Sequence, residues 1–383
     1  MWTDERTGLF GDHMARQQET TASRHALEKL VQRRDVQKAT SPKFTPSSFT
    51  PPPFAPPPCL CGRPLCTAGN AIAAAEVRAV VALHRLQIGA VSVTMLTDGA
   101  VTCPASWMFP ALSEAERAAA WPDGQASLSF GCVLLQAGGL TILLDTSLGC
   151  IDPPIGPQMK EARPQRDIRE LLKQAGVTPD DVNVVCHSHL HRDHTGWNVV
   201  LDDNVRDLAI PLFRKAKHLV QRAEYAYWTS AEQLKQRIAY TTNVRPLEQA
   251  GMLTLIDGTH EICPGVQLQL APGHTPGHQV CVIRSEGASA YFIGDLLHTL
   301  PQVAHPEWSP FFDWGSSGGV SGMVRRAVLG RIADEDAMLL SPHLPFPGAG
   351  TITRTQVDGH EVMRYVPEAC PGEEAASCVP CIE

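Results

Sequence analysis

Short apolar runs, most of them bounded by glycine, proline or aspartate, recur through the chain after residue 90. Apolar runs of this kind between turn residues predict buried β-strands, and alternating apolar and polar residues predict a half-buried strand. Val266, Leu268 and Leu270 alternate with glutamines in this way. The sequence predicts strands at residues 91–96, 129–136, 140–144, 182–186, 248–258, 265–270, 279–284, 290–293 and 338–340.

Two segments between these runs predict helices. Residues 167–174 place Ile168, Leu171 and Leu172 on one face, and Gly176 follows as a typical helix-ending residue. Residues 324–329 predict a second helix. Helices placed between pairs of strands indicate outer helical layers over a sheet sandwich.

Four side chains that commonly bind metals follow the run at 182–186 within six residues. They are His189, His191, Asp193 and His194. Imidazole and carboxylate donors suit zinc and the neighbouring first-row metals. A helix would place His189 and Asp193 on one face and scatter the other two, whereas a tight loop aims alternate residues at two adjacent points. The spacing therefore predicts a loop that serves two metal ions.

Three further metal-binding side chains each follow a predicted strand. His274 comes after the run at 265–270, Asp295 after 290–293, and His343 after 338–340. Side chains at adjacent strand ends converge on one edge of a sandwich, so residues that are distant in sequence meet there. The sequence therefore predicts one shared metal site.

Taken together, these motifs resemble the metallo-β-lactamase superfamily. The resemblance covers residues 86–367 and implies the fold of that superfamily, an α/β (α+β) four-layer αββα sandwich. Four motifs carry it in chain order: His189-x-His191-x-Asp193-His194, Ala-Pro-Gly-His274-Thr-Pro-Gly-His278, Tyr-Phe-Ile-Gly-Asp295 and Ser-Pro-His343.

The resemblance also implies a role for each candidate ligand. Two divalent metal ions are expected, with zinc first and manganese, cobalt or iron as alternatives, because histidine and carboxylate accept all of them. Asp193 is also the expected catalytic residue, which orients the nucleophile or shuttles its proton, and Asp295 is expected to bridge the ions. The first ion would be held by His189, His191 and His274, and the second by Asp193, His194 and His343.

Five more residues are expected around these ligands. The resemblance implies that Asp145, directly after the run at 140–144, orients a ligand imidazole from behind. His278 is expected either to support the ligands from behind or to have a structural role. Trp197, His298 and Phe346 are close in sequence to ligands and are expected to line the substrate pocket.

Hydrolysis is the expected activity. Two ions about 3.5–4 Å apart share a hydroxide at neutral pH, which would cleave an ester, lactone or phosphotriester of a small, largely apolar substrate. Residues 294–298 and 343–348 resemble methyl parathion hydrolase and related lactonases, and the histidine motifs resemble acyl-homoserine lactonases. The alternatives are a mononuclear iron persulfide dioxygenase, a glyoxalase II-like thioester hydrolase, and a binding protein on a decayed site.

Charge and composition limit the kinds of partner that we expect for the chain. The chain has 383 residues, of which 43% are hydrophobic, and a net charge of −8. This charge argues against nucleic acid, because phosphate contacts need a basic surface. The sequence has no apolar run of the roughly 18 residues that a membrane helix needs, so no membrane partner is expected. The expected partner is a small-molecule substrate, and a homodimer is left open.

Three regions are expected along the chain. Residues 1–80 predict a disordered or low-complexity extension, because eight prolines between residues 42 and 58 indicate a polyproline linker. Residues 81–367 are the expected catalytic domain, and 368–383 a tail with cysteines. For the cysteines of both terminal regions, structural zinc, disulfides and neither role are all left open. The N-terminus lacks the basic start and apolar block of a secretory signal, so a cytoplasmic location is expected, with organellar targeting left open.

Overall fold

The computed structural model describes residues 83–149, 159, 164–202, 209–230, 233, 239–315 and 319–368. The expected N-terminal extension, with its proline-rich linker, and the cysteines of both terminal regions lie outside these residues. The described residues cover most of the expected catalytic domain.

The first sheet has seven strands, which lie side by side in this order: β1 (Leu83–Ile88), β2 (Val91–Pro104), β3 (Gln125–Ala137), β4 (Leu140–Leu144), β5 (Val184–Cys186), β8 (Lys217–Gln221) and β9 (Leu253–Ile256). Neighbours are antiparallel from β1 to β4 and parallel from β4 to β9. Because parallel neighbours end at the same edge, the loops after β4, β5 and β8 lie together. Two short strands, β6 (Val199–Leu201) and β7 (Ala209–Pro211), pair separately.

The second sheet also has seven strands, in chain order: β10 (Thr259–Cys263), β11 (Val266–Leu270), β12 (Gln279–Ser285), β13 (Ala288–Phe292), β14 (Met338–Leu340), β15 (Ala349–Val357) and β16 (His360–Pro367). Strand β12 is antiparallel to both β11 and β13, and β13 is parallel to β14. Strands β11, β13 and β14 therefore run in one direction and end at one edge of the sheet.

Helices occupy the connections between these strands. The α-helices are α1 (Ala105–Met108), α2 (Glu114–Ala120), α3 (Ile168–Gln174), α4 (Arg192–Thr195), α5 (Arg222–Trp228), α6 (Arg245–Gln249), α7 (Pro301–Ala304) and α8 (Val320–Asp334). Three 3-10 turns (Pro179–Asp181, Gly196–Asn198, Gly294–Leu296) and a π-helical turn (Tyr240–Val244) complete the described helical structure. None of the helices in the described part of the chain is long and apolar enough to cross a membrane.

The two sheets bury their inner faces against each other. Successive strand residues point to opposite faces, and Val133 and Leu135 of β3 accordingly lie in the core between the sheets, while Leu134 lies in a separate core on the outer side. Strand β12 does the same, because Ile283 points inward and Val282 outward. This alternation is why one strand contributes to two cores.

Each outer face is covered by a helix. Helix α3 places Ile168, Leu171 and Leu172 in the core on the outer face of the first sheet. Helix α8 packs Val328 and Ile332 against the outer face of the second sheet. The layer order is therefore helix, sheet, sheet, helix, which confirms the expected αββα sandwich.

The predicted strands at 140–144 and 338–340 coincide with β4 and β14. The predicted strand at 248–258 is wrong in its first part, where helix α6 has Pro246 in its first turn, a position that suits the fixed φ of proline. Strands β15 and β16 have no continuous apolar run to predict them, since charged and polar residues occur along both.

Candidate metal centre

The chain leaves β5 through a short loop and then forms the one-turn helix α4. His189 and His191 lie in the loop, whereas Asp193 and His194 lie in the helix. The expectation of a loop for all four residues is therefore wrong for the last two. The change from loop to helix separates the four side chains into two pairs.

The first pair meets His274, which follows β11, to form a first group of ring nitrogens. His189 Nε2 and His274 Nε2 each lie 2.8 Å from His191 Nδ1, and 3.2 Å from each other. His189 and His274 are buried, and His191 is partly buried. Three imidazoles thus aim one nitrogen each at a common point.

The second pair meets His343, which follows β14, to form a second group. His194 Nε2 lies 3.2 Å from His343 Nε2, and Asp193 Oδ2 lies 3.7 Å from each of these nitrogens. The structure thus brings together the members of each ligand set that the resemblance implies.

Asp295 lies between the two groups, just after β13. Its Oδ2 atom is 3.1 Å from His274 Nε2 and 3.6 Å from His189 Nε2. Its Oδ1 atom is 2.9 Å from His194 Nε2 and 3.0 Å from His343 Nε2. Each carboxylate oxygen therefore faces a different group.

Three of the imidazoles are held with a lone pair directed into the site. The second nitrogen of each, Nδ1, lies against a carboxylate or carbonyl oxygen, which accepts hydrogen bonds, so Nδ1 carries the proton and Nε2 is free to bind. The three pairs are His274 Nδ1 with Asp313 Oδ1 (2.8 Å), His194 Nδ1 with Asp145 Oδ2 (2.7 Å) and His343 Nδ1 with the Ser129 carbonyl oxygen (2.8 Å).

This donor set fits two divalent cations. The converging lone pairs cannot all be satisfied by hydrogen bonds to one another, because a neutral imidazole carries a single N–H group. Ligands of a tetrahedral zinc ion, with bonds of 2.0–2.1 Å, lie about 3.4 Å apart. The distances within the first group, 2.8–3.2 Å, are shorter than this value, and those within the second, 3.2–3.7 Å, lie on either side of it. The donors suit several divalent metals, so they leave the identity of the metal open.

Burial and charge set the protonation of these side chains. Burial lowers the pKa of His191 to about 3 and that of His189 well below its usual range, so both rings are neutral at pH 7. Burial acts on His194 too, but the nearby carboxylates of Asp295 and Asp145 outweigh it and raise the pKa of His194. A bound cation would take the place of this proton, because metal ligands bind in their deprotonated form.

The profile of the metallo-beta-lactamase superfamily matches residues 132–343, which is more than half of the chain. This span contains the six residues of the two groups and Asp295, the carboxylate between them. The chain belongs to the metallo-β-lactamase superfamily. The resemblance drawn from the four sequence motifs is thereby confirmed.

Curated relatives include N-acyl homoserine lactonases. One from Bacillus sp. is 32% identical over 179 residues, which are 43% of this chain and 62% of the relative. The N-acyl homoserine lactonase AiiA of Bacillus thuringiensis subsp. kurstaki is 30% identical over 186 residues, 45% of this chain and 65% of the relative. The chain thus spans less than two thirds of the length of these relatives. The expected likeness to the acyl-homoserine lactonase branch is confirmed.

Solved structures of two other proteins share the fold. AidC, a dizinc quorum-quenching lactonase solved with its product N-hexanoyl-L-homoserine, superposes with a TM-score of 0.63 at 23% identity, covering 75% of this chain and 98% of AidC. The hydrolase AbOPH superposes with a TM-score of 0.61 at 24% identity, covering 76% of this chain and 99% of AbOPH. At these identities the likeness concerns the fold alone.

Asp145 lies behind the second group, where the superfamily resemblance placed it. Besides holding His194 Nδ1, it accepts hydrogen bonds from the Ser188 backbone N–H at 2.7 Å and from the Ser188 hydroxyl at 2.6 Å. Its φ is +60°, a left-handed conformation that aspartate tolerates better than most side chains. Through these hydrogen bonds Asp145 connects the end of β4 to the start of the loop that carries His189 and His191.

His278 supports the backbone of Asp295 rather than a ligand imidazole. Its Nδ1 donates to the Ala271 carbonyl oxygen at 3.2 Å, and its Nε2 accepts from the Asp295 backbone N–H at 3.0 Å. Burial lowers the pKa of His278 to about 3, so it is neutral in both contacts. Gly294 is required beside it, because a Cβ atom there would lie 2.6 Å from His278 Nε2.

The structure separates the three expected pocket residues. His298 lies in the site, with Nε2 at 3.1 Å from Asp295 Oδ2 and its ring stacked 5.4 Å from that of His343. Trp197 does not belong to the pocket, because it is buried in the core under α3. Phe346 is partly buried and packs against the core between the sheets, and its place in the pocket stays a prediction.

Two buried acids near the site were not expected from the sequence. Asp313 contacts His274, and Glu224 on α5 contacts the loops that carry the ligands on both sheets. Both are single acids in segments without a motif, and their contacts span 34 to 53 residues. A single sequence contains no local signal that distinguishes them from surface acids.

Proposed function

We propose that the protein is a metal-dependent hydrolase that binds two divalent ions and cleaves a lactone with an apolar substituent. The observation that carries the proposal is the placement of Asp295, whose two oxygens face the two groups of ligand atoms separately. One carboxylate can reach both ions of a pair that lie about 3.5–4 Å apart. When bound, such ions would lower the pKa of water and polarise the scissile carbonyl.

Asp193 is the residue to which we assign orientation of the attacking water. Its side chain keeps 14% of its surface exposed, whereas those of His194 and Asp295 beside it are 0% and 4% exposed. A carboxylate with an exposed edge can accept a hydrogen bond from water that enters from solvent. Asp193 can therefore bind a water molecule at its exposed edge, while Oδ2 faces His194 and His343 of the second group.

His298 is the residue to which we assign contact with the substrate. Its ring is buried, and its Nδ1 atom has no hydrogen-bond partner among the residues that the structure describes. A buried polar atom without a partner costs free energy, about 1–3 kcal/mol, unless a ligand or water satisfies it. Asp295 Oδ2 accepts the proton of His298 Nε2, so Nδ1 of the neutral ring is an acceptor, which an N–H group of the substrate would satisfy at the site itself.

An aromatic wall, formed by Trp107, Phe311 and Phe312, extends from the site to the surface. The Phe312 ring lies 5.1 Å from that of His298 and 6.0 Å from that of His274. Phe311 lies 5.2 Å from both Phe312 and Trp107 and is half exposed. Such a surface favours an apolar substituent, because aromatic rings bury large apolar areas. The N-acyl homoserine lactonases among the relatives support a lactone as the substrate.

The test joins metal analysis to a hydrolysis screen on the full chain. We expect two divalent ions per chain and turnover of acyl-homoserine lactones, with aryl esters and an aryl phosphotriester as the other arms. The variant His191→Ala should lose one ion and at least about 100-fold in activity, since even supporting residues of metal sites contribute 10–100-fold. The matched control is His360→Ala, which removes an exposed histidine from β16.

Two outcomes would contradict the proposal that the protein is a metal-dependent hydrolase. One iron per chain without hydrolysis would favour a thiol or persulfide oxidation, and turnover that persists in His191→Ala would place the chemistry elsewhere. Turnover of the phosphotriester in preference to every lactone would keep the hydrolase and correct the substrate.

A further inference from the structure

A buried ion pair lies directly behind His274, on the side away from the site. Asp313 Oδ1 accepts the Nδ1 proton of His274 at 2.8 Å, and Asp313 Oδ2 lies 3.0 Å from Arg325 Nη2. The side chains of Asp313 and Arg325 have no exposed surface. Asp313 Oδ2 also accepts a short hydrogen bond from the Ser321 hydroxyl.

Helix α8 presents both donors to Asp313. Ser321 and Arg325 are four residues apart, so they lie on the same face of the helix, one turn from each other. The Arg325 guanidinium has only donors, and a carboxylate oxygen can only accept. Arg325 and the Ser321 hydroxyl therefore both donate a hydrogen bond to Asp313. The oxygen that they share is therefore fixed, and the other carboxylate oxygen is left facing His274.

Arg325 also connects this pair to the loops around the site. Its Nε donates to the Leu296 carbonyl oxygen, next to Asp295, and its Nη1 donates to the Pro306 carbonyl oxygen at 2.6 Å and to that of Trp308 at 3.0 Å. A buried ion pair adds little net stability, since desolvation offsets the attraction. Stability alone therefore does not account for burying two charges at this place.

The second group has a comparable arrangement. Asp145 holds His194 Nδ1 with one oxygen and also accepts a serine hydroxyl, that of Ser188. Each group thus contains one imidazole whose far nitrogen is bonded to a buried aspartate that a serine also contacts. The difference is that Asp313 has a buried arginine as its partner, whereas Asp145 is bonded by backbone and hydroxyl groups.

We infer that Asp313, oriented by Arg325 and Ser321, is a positioning residue that keeps the proton of His274 on Nδ1 and so keeps Nε2 available for the first metal ion. This inference rests on the proposed function, since it assumes that the first group binds metal. A carboxylate is required at position 313, because both of its oxygens must accept hydrogen bonds.

The substitution Asp313→Asn tests this requirement. The asparagine oxygen would be drawn to Arg325 and Ser321, which are donors, and the amide would then donate to His274 Nδ1. That contact moves the ring proton to Nε2, where it blocks the ligand atom. Replacing the aspartate of a serine protease triad by asparagine changes the tautomer of the neighbouring histidine in the same way. We expect the affinity for the first ion to fall by about 10–100-fold, the range measured for residues that orient metal-binding histidines.

Metal affinity is measured by competition between the full-length protein and a chromophoric chelator, with zinc and cobalt as the probes. The matched control is Asp257→Asn, an exposed aspartate that should leave the affinity unchanged. The ring tautomer is read in the metal-free protein from the imidazole ¹⁵N chemical shifts. We expect an Nδ1–H tautomer for His274 in the wild type and an Nε2–H tautomer in Asp313→Asn.

Wild-type affinity in Asp313→Asn would overturn the inference, and so would an Nε2–H tautomer of His274 in the wild type. The wild-type tautomer decides the matter even if the variant does not fold. Failure of the proposed function is a separate outcome. A wild type that binds two ions tightly, loses one in Asp313→Asn and hydrolyses nothing would uphold the inference and refute the proposed activity.

Discussion

The substitution Glu224→Gln should loosen both loops that carry metal-site histidines. Glu224 Oε1 accepts from the Leu190 backbone N–H at 3.0 Å and from Trp228 Nε1 at 2.7 Å. Its Oε2 accepts from the Thr275 hydroxyl at 2.6 Å and from the Gly277 backbone N–H at 3.1 Å. Leu190 lies in the loop after β5, and Thr275 and Gly277 lie in the loop after β11, so one carboxylate joins loops from the two sheets.

The size of the expected loss of stability follows from the four hydrogen-bond donors that contact Glu224. A glutamine oxygen can keep two of them, and its amide then faces the other two. The Thr275 hydroxyl can turn to accept a hydrogen bond, but the Gly277 N–H cannot, so one buried N–H loses its partner. An unpaired buried donor costs about 1–3 kcal/mol, and we expect the free energy of unfolding to fall by that amount. The space around Gly277 is filled, because a Cβ atom there would lie 2.1 Å from the Glu224 backbone nitrogen.

Urea denaturation of the metal-free protein measures this change, followed by tryptophan fluorescence. The control is Glu170→Gln, which alters an acid on α3 whose side chain is 67% exposed. Surface substitutions usually change stability by no more than about 0.5 kcal/mol. Equal unfolding free energies for the two variants would refute the reasoning, since the buried carboxylate would then contribute no more than a solvated one.

Two further predictions concern pH and substrate length. Burial raises the pKa of Asp98 from its usual 3.8 to about 6. The stability that the protonated Asp98 contributes is therefore present below pH 4 and is lost as pH rises through about 6, which lowers the free energy of unfolding by about 3 kcal/mol in total. The unfolding free energy of Asp98→Asn, measured from pH 4 to 7, should lack this decline. Parallel curves for the wild type and the variant would contradict the prediction. For the aromatic wall, Phe312→Ala should raise KM about two- to tenfold for long-chain lactones, because one aromatic contact contributes about 0.5–1.5 kcal/mol. The effect should be smaller for short-chain lactones. Equal effects on both would show that Phe312 does not meet the acyl chain.

The metal motifs were predictable because their chemistry is local. His189, His191, Asp193 and His194 lie within six residues and directly follow an apolar run, so residue type, spacing and strand end all indicate one site. Asp145, which directly follows β4, was expected from the superfamily resemblance and not from a local motif. The fold was predictable in outline for a related reason, since strands buried on two faces are continuous apolar runs in the sequence.

The supporting residues were not predictable from local patterns. Asp313 meets His274 across 39 residues, and a lone aspartate after two phenylalanines has no pattern that indicates burial. Trp197 shows the converse error. It is three residues from His194, but the 3-10 turn at Gly196–Asn198 directs its ring into the core, where Nε1 donates to Asp98 Oδ2 at 2.8 Å. Proximity in sequence indicates the right loop but not the direction of a side chain.

The site also depends on both sheets, which links metal binding to folding. The first sheet supplies the loop after β5, and the second supplies the residues after β11, β13 and β14. Neither sheet alone brings the two groups of ligand atoms together, so metal ions would bind the packed sandwich and not the unfolded chain. An ion at a thousand times its Kd would then stabilise the native state by about 4.1 kcal/mol. Asp295 faces both groups of ligand atoms. The stabilisation by metal ions and the proposed chemistry therefore depend on the same contact between the two sheets.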